Sequence, residues 1–280
     1  MKLIRARVAT THIDQHNERM TREALEDMAR QIAEHYIPVM WNHDIRHPPL
    51  GRIISAEVVP LEDGKYALET TNECWEQDDT PELLRGDGRS LRLRIDEDYE
   101  RFVVRYDRTF LDDDGWALVQ EIAALSGTEP CEEGKKALEP VSVLAIAAGC
   151  FVVGSIASGF FNKLGSDLYD TLKAKLKAFF KRNPKREVLM DFEMAVQGKE
   201  HRFEVHVLVD NATPEKIEDL FARQFEGLDQ MVEAVCQDVP TAARIVLEWG
   251  EGGMLWRYVV TSDGLPFTFR ACTQARKENP

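Results

Sequence analysis

The first residues whose types and spacing could do chemistry are paired histidines. His12 and His16 stand four apart, as do His43 and His47. On a helix such a pair faces one way and suits a transition metal. Both pairs lie in loop-like sequence containing Asn or Pro, and no carboxylate or cysteine recurs at a matching distance. No metal centre is expected from them. Cys74, Cys131, Cys150, Cys236 and Cys272 lie far apart without a CxxC pair. An odd, scattered set fits reduced thiols and the cytosol, and offers no zinc site. Gly86-Asp87-Gly88 is a turn signal and lacks the Gly-Lys-Ser/Thr continuation of a phosphate loop. His201 and His206 fall in alternating sequence and read as solvent-facing strand residues. No cofactor is implied.

The elements that would position a site begin with a strand over residues 2–10. Thr21 caps a helix with Glu23 in its first turn and a stripe of Ala24, Leu25, Met28, Ile32 and Tyr36. Ile37-Pro38 ends it. Then come Val39-Met40-Trp41-Asn42-His43-Asp44, a loop with Pro48-Pro49, and Leu50-Gly51-Arg52-Ile53. A strand, the turn Glu62-Asp63-Gly64-Lys65 and another strand follow. This layout resembles the prohead (capsid maturation) proteases of tailed bacteriophages, which share a fold with herpesvirus assemblins. The likeness covers residues 2 to about 130 and implies a barrel-like α+β domain with His43 as catalytic base. It further implies a short helix, a nucleophile strand and a Glu-bearing strand. The matching stretches are Thr80–Arg85, Arg89–Ile95 and Leu118–Ile122. Arg92 stands where the nucleophilic serine belongs. Ser90, two residues away, faces the same side of a strand. A serine hydrolase needs a hydroxyl within hydrogen-bond reach of an imidazole that a third group orients. Ser90, His43 and Glu121 are the candidates. The alternative is a dead site kept as a binding module, with Arg92 and Arg94 able to hold an anion.

A chain that is 30% charged, with a formal net charge of -14, contains a run of 23 residues (140–162) without one charge. As a helix it reaches about 30 Å, a bilayer's hydrocarbon thickness. Ala145, Gly149, Gly154, Ser158 and Gly159 fall at spacings that let membrane helices pack closely. The expectation is a membrane-inserting, self-associating helix; a buried hairpin, or two core strands parted at Gly149, is the other reading. Residues 163–186 follow as an amphipathic helix striped by Leu164, Leu168, Leu172, Leu176 and Phe180. Its basic end carries Lys173, Lys177, Lys181 and Arg182, which would meet anionic headgroups.

Length allows two domains. The expected organisation is 1–130 protease-like, 131–139 linker, 140–162 apolar helix, 163–186 amphipathic helix, and 187–280 a small ββαββ domain for oligomerisation or partner contact. In that last part Gln197–Glu200 is a hairpin signal, and Thr213-Pro214 starts a helix running to about Val239. The fold class is therefore α+β. A pI near 5.0 argues against a nucleic-acid surface. The N-terminus lacks the apolar core of a signal peptide. Three functions are open. The first is a cytoplasmic, conditionally membrane-associated effector that oligomerises and permeabilises membranes, as in antiviral defence. The second is a serine endopeptidase of the prohead type. The third is a non-catalytic oligomeric scaffold. The expected partners are further copies of the chain and membrane lipid.

Overall fold

The computed structural model describes residues 1–13, 19–75, 87–93, 102–133 and 142–268. The described chain divides into two units: Met1–Trp41, His47–Arg92 and Val260–Phe267 in one, and Asn42–Arg46 with Leu93–Val259 in the other.

In the first unit, β1 (Lys2–Thr10), β2 (His35–Val39), β3 (Gly51–Pro60), β4 (Tyr66–Cys74) and β5 (Ser90–Leu91) form a sheet in the order β1-β4-β3-β2-β5. Helix α1 (Arg22–Glu34) starts where the sequence says, with Thr21 Oγ1 accepting from Ala24 N at 3.1 Å. It packs Leu25 and Ile32 onto Leu68 of β4. At its far end the Arg89 guanidinium takes up the carbonyls of Ile32 and His35, which helix termination leaves without partners. The β3–β4 turn falls at the expected position, and Gly64 adopts φ +78°. Gly51 has a steric reason to be glycine: a Cβ there would lie 2.2 Å from the Glu73 carbonyl oxygen on β4.

The second unit corrects the central expectation. Residues 140–162 are not one helix. Residues 140 and 141 lie outside the described residues, Val143–Val152 is a strand (β8), a turn follows, and helix α3 (Ile156–Arg182) starts there. Among the described residues no helix is long and apolar enough to cross a membrane. The cause of the misreading is physical. β8 lies between β6 (Val103–Asp107) and β9 (Leu189–Gln197) and is buried on both faces, so its sequence reads as an unbroken apolar run. Such a run and a buried helix look alike by periodicity.

The small residues divide between strand, turn and helix. Ala145 and Gly149 lie in β8. Gly154 takes φ +88° in the turn. Ser158 and Gly159 sit in the first turn of α3, where a Cβ on Gly159 would meet the Phe151 ring at 2.9 Å. The amphipathic stripe does form, with Leu164, Leu172, Leu176 and Phe180 buried, but it packs within its own unit. Its lysines face acidic neighbours: Lys173 and Lys177 pair with Glu218, and Lys175 with Glu121. Lys181 and Arg182 close the helix, where its dipole favours cations.

The fold is mixed α/β. α2 (Asp113–Ser126) links β6 to β7 (Cys131–Glu133), which run parallel, and α3 links parallel β8 and β9. α4 (Pro214–Arg223) and α5 (Leu228–Asp238) link β10 (Arg202–Val209) to parallel β11 (Ala242–Gly250). With β12 (Gly253–Thr261) and β13 (Pro266–Thr268) the order is β13-β12-β11-β10-β9-β8-β6-β7. The expected ββαββ piece is thus not a separate sheet; it continues through β8, β6 and β7. The β9–β10 hairpin and the Thr213 cap fall where expected. The single helix expected to Val239 breaks at Gln224 and Phe225, both at positive φ. Phe225 is held there among Phe160, Phe161 and Phe192.

Candidate functional site

The sequence-derived triad residues take unremarkable places. Ser90 is exposed on β5, paired with His35 of β2, and belongs to the first unit. Arg92 donates to Gln31 at 3.1 Å. His43 is exposed in a short turn, Trp41–His43, with Asn42 and His43 at φ 48° and 56°. Asn and His tolerate this region better than most residues, so the turn is not strong evidence of strain. Asp44, which completes the Asn-His-Asp motif, is buried and gripped by the Arg46 guanidinium, which also reaches Asp210 at 2.8 Å. Glu121 is not on a strand. It lies in α2, whose ends carry the usual marks: Asp112 accepts from Gly115 N at 2.7 Å, and Gly127 closes in the left-handed conformation. Its carboxylate faces Lys175 at 2.8 Å. Thr80–Arg85, Arg94 and His16 lie outside the described residues. His12 is paired with Asp63 at 2.6 Å.

The concentration of chemistry lies elsewhere, on one face of the second unit's sheet. Register fixes it. His206 of β10 stands opposite Glu193 of β9, Glu204 opposite Ala195 and, on the other side, Arg244 of β11. Ala145 and Ala147 of β8 stand beside Asp191 and Glu193, and Arg105 of β6 beside Ala145. Residues paired in register share a face, so these groups converge. The alanines are the reason Arg105 can reach over β8 to Glu193, 2.6 Å away. His206 Nδ1 lies 3.0 Å from Asp191 Oδ2, and Nε2 lies 3.3 Å from Glu204 Oε1 without hydrogen-bond geometry. Arg244 pairs with Glu204. Glu193, Glu204 and His206 are 0% exposed and Asp191 1%. Burial alone would push the His206 pKa down; Asp191, then Glu204, outweigh it and raise it to about 9.

Three carboxylates face two guanidiniums and one imidazole. Protonated, His206 balances the set. Neutral, it leaves one negative charge in a dry interior, where an uncompensated ion costs several kcal/mol, on the order of 3–5. Ligand atoms of Asp191, Glu193 and His206 lie within 4.8 Å of one another, the one such group of metal-binding types among the described residues. His206 is therefore not the solvent-facing residue expected from its alternating sequence. The signal lies in the setting: Asp191, Glu193, Glu204 and His206 alternate inside two runs whose other positions are nearly all apolar. The second side of a strand that is buried on both faces looks, by alternation alone, like a wet one.

A cleft of about 530 Å³ lies at one end of this sheet, lined by Val152, His201, Phe203, Glu233, Cys236 and Ala242 among others. His201 Nε2 donates to the Ala242 carbonyl at 2.7 Å and is thereby occupied. Burial, with Glu233 nearby, pushes the Cys236 thiol up, which disfavours the nucleophilic thiolate.

Comparison of the chain with protein-family models, with curated proteins and with solved structures finds no match.

Proposed function

We propose that the chain is a non-catalytic binding scaffold that takes up an acidic, extended segment of a partner protein along β1. The observation that carries this reading is the state of β1 itself. Among the described residues it is a nine-residue strand at the edge of its sheet, with Leu3 65% and Val8 42% exposed. An open edge carries unpaired backbone donors and acceptors and is a template for strand addition. Lys2, Arg5 and Arg7 are exposed along it, in a chain that is otherwise acidic. A second copy is disfavoured as occupant, because antiparallel self-pairing brings these like charges together. An acidic strand is favoured for the same reason.

The other readings have less support. The membrane effector depended on a helix, and Val143–Val152 is spent as a central strand. The peptidase likeness rests on the Val39–Arg52 pattern, yet Gly51 and Arg52 have structural work there: close strand approach, and an ion pair with Glu73 at 2.6 Å.

The test is a peptide of alternating Glu and Val, a matching Lys-Val peptide and an N-methylated Glu-Val peptide, titrated by fluorescence anisotropy. Binding of the first alone is expected, and Arg5→Glu should reverse the preference to the Lys-Val peptide. Equal binding of all three, or binding indifferent to backbone methylation, would reject strand addition.

A further inference from the structure

We infer that Asp191, Glu193 and His206 form the binding site of one divalent first-row transition-metal ion, buried in the second unit and independent of the β1 surface. Two neighbouring ligand atoms on one ion, each about 2.1 Å from it, stand roughly 3.0 Å apart in octahedral and roughly 3.4 Å apart in tetrahedral geometry. His206 Nδ1 and Asp191 Oδ2 are already 3.0 Å apart. They form a hydrogen-bonded pair whose spacing also fits adjacent positions of one ion that replaces the shared proton. The ligand atoms of the three groups lie within 4.8 Å of one another, so the Glu193 carboxylate closes the set by moving toward the other two by up to about 1.5 Å.

A second observation points the same way. The imidazole is wholly buried, and its Nε2 makes no hydrogen bond although Glu204 Oε1 is only 3.3 Å away. Metal-bound imidazoles commonly donate their other N–H to a carboxylate, which fixes the tautomer and turns the opposite nitrogen to the ion. A small rotation of the ring onto a metal at Nδ1 would bring Nε2–H onto Glu204. Arg244 and Arg105 hold Glu204 and Glu193 in place from the flanking strands. All the groups sit on strands in fixed register, and that rigidity suits a preorganised site.

Three carboxylates against two guanidiniums leave one negative charge once the imidazole gives up its proton, so an entering ion takes the place of that proton. One imidazole with two carboxylates selects Mn²⁺, Fe²⁺, Co²⁺ or Zn²⁺ over Ca²⁺ and Mg²⁺, which prefer all-oxygen shells. Full burial means that the ion is taken up during folding and released on unfolding.

The experiment uses the full chain, unfolded in guanidinium with EDTA, desalted, and refolded with Mn²⁺, Zn²⁺, Mg²⁺ or no metal. Metal content by mass spectrometry and thermal melting are then read. About one Mn²⁺ or Zn²⁺ per chain and a melting point several degrees higher are expected, with no effect of Mg²⁺. His206→Gln should weaken binding by at least 10-fold, whereas Glu121→Gln, on an exposed helix face, should not. Because His206→Gln can fail to fold, pulsed EPR of the Mn²⁺-loaded wild type supplies an independent reading: nitrogen modulation from one imidazole is expected. Sub-stoichiometric metal with unchanged melting, a bound ion without nitrogen coupling, or a folded His206→Gln chain that binds as well as wild type would each overturn the assignment.

Discussion

Gly159 and Arg105 illustrate how single side chains decide the fate of an element. Gly159 leaves room for the Phe151 ring, so Gly159→Leu should overpack the contact of α3 with β8 and cost about 1–3 kcal/mol. Urea denaturation measures this, and a loss below about 0.5 kcal/mol would show that the ring gives way freely. Arg105 is half of a pair whose other member, Glu193, is wholly buried. Removing the cation alone strands a charge, so Arg105→Ala should cost about 3–5 kcal/mol, whereas the double change Arg105→Met with Glu193→Leu should restore most of the loss. The same denaturation assay reads both, and additive losses would argue against a coupled pair. At this scale the sequence was partly legible. Thr21 and Thr213-Pro214 announced their helices, because a cap is a local hydrogen bond and its residue types are few. Asp112 and Gly127 cap α2 by the same local bonds, but the strand expected over Leu118–Ile122 followed the family likeness and not these residues.

At the scale of elements, α1 and α3 are each held by one unusual feature. α3 is interrupted at Gly165, where φ is 68° and ψ is 162°, a backbone region essentially closed to residues with a Cβ. Gly165→Ala should therefore destabilise by about 1–3 kcal/mol despite alanine's higher helix propensity; a stabilised variant in thermal melts would mean that the helix prefers to run straight. α1 is closed by Arg89, and Arg89 is held by Asp87. The Arg89 side-chain bond holds the Asp87 carboxyl below its usual value of 3.8. A depressed folded-state pKa means that the contribution is present above that value and is lost as pH falls through the folded one. Asp87→Asn should then lower stability at pH 7 and converge with wild type as pH falls through the folded-state value. Denaturation midpoints across that range check it, and a constant offset at every pH would remove the carboxylate from the account.

At the scale of the molecule, the apolar segment is the spine of a sheet. Ile146→Asp should unfold the second unit, read as loss of its protease resistance. A variant that keeps its protease resistance would show that the strand tolerates a buried charge. By itself the sequence determined what depends on neighbours along the chain: the capped starts of α1 and α4, the β3–β4 and β9–β10 turns, and the buried stripe of α3. Tertiary structure decided what depends on neighbours across it. Whether Val143–Val152 is a helix in lipid or a strand between two others turns on whether β6 and β9 exist to bond its backbone. Whether Asp191, Glu193 and His206 face water or one another turns on strand register and on what covers the sheet, and neither is a property of any one segment.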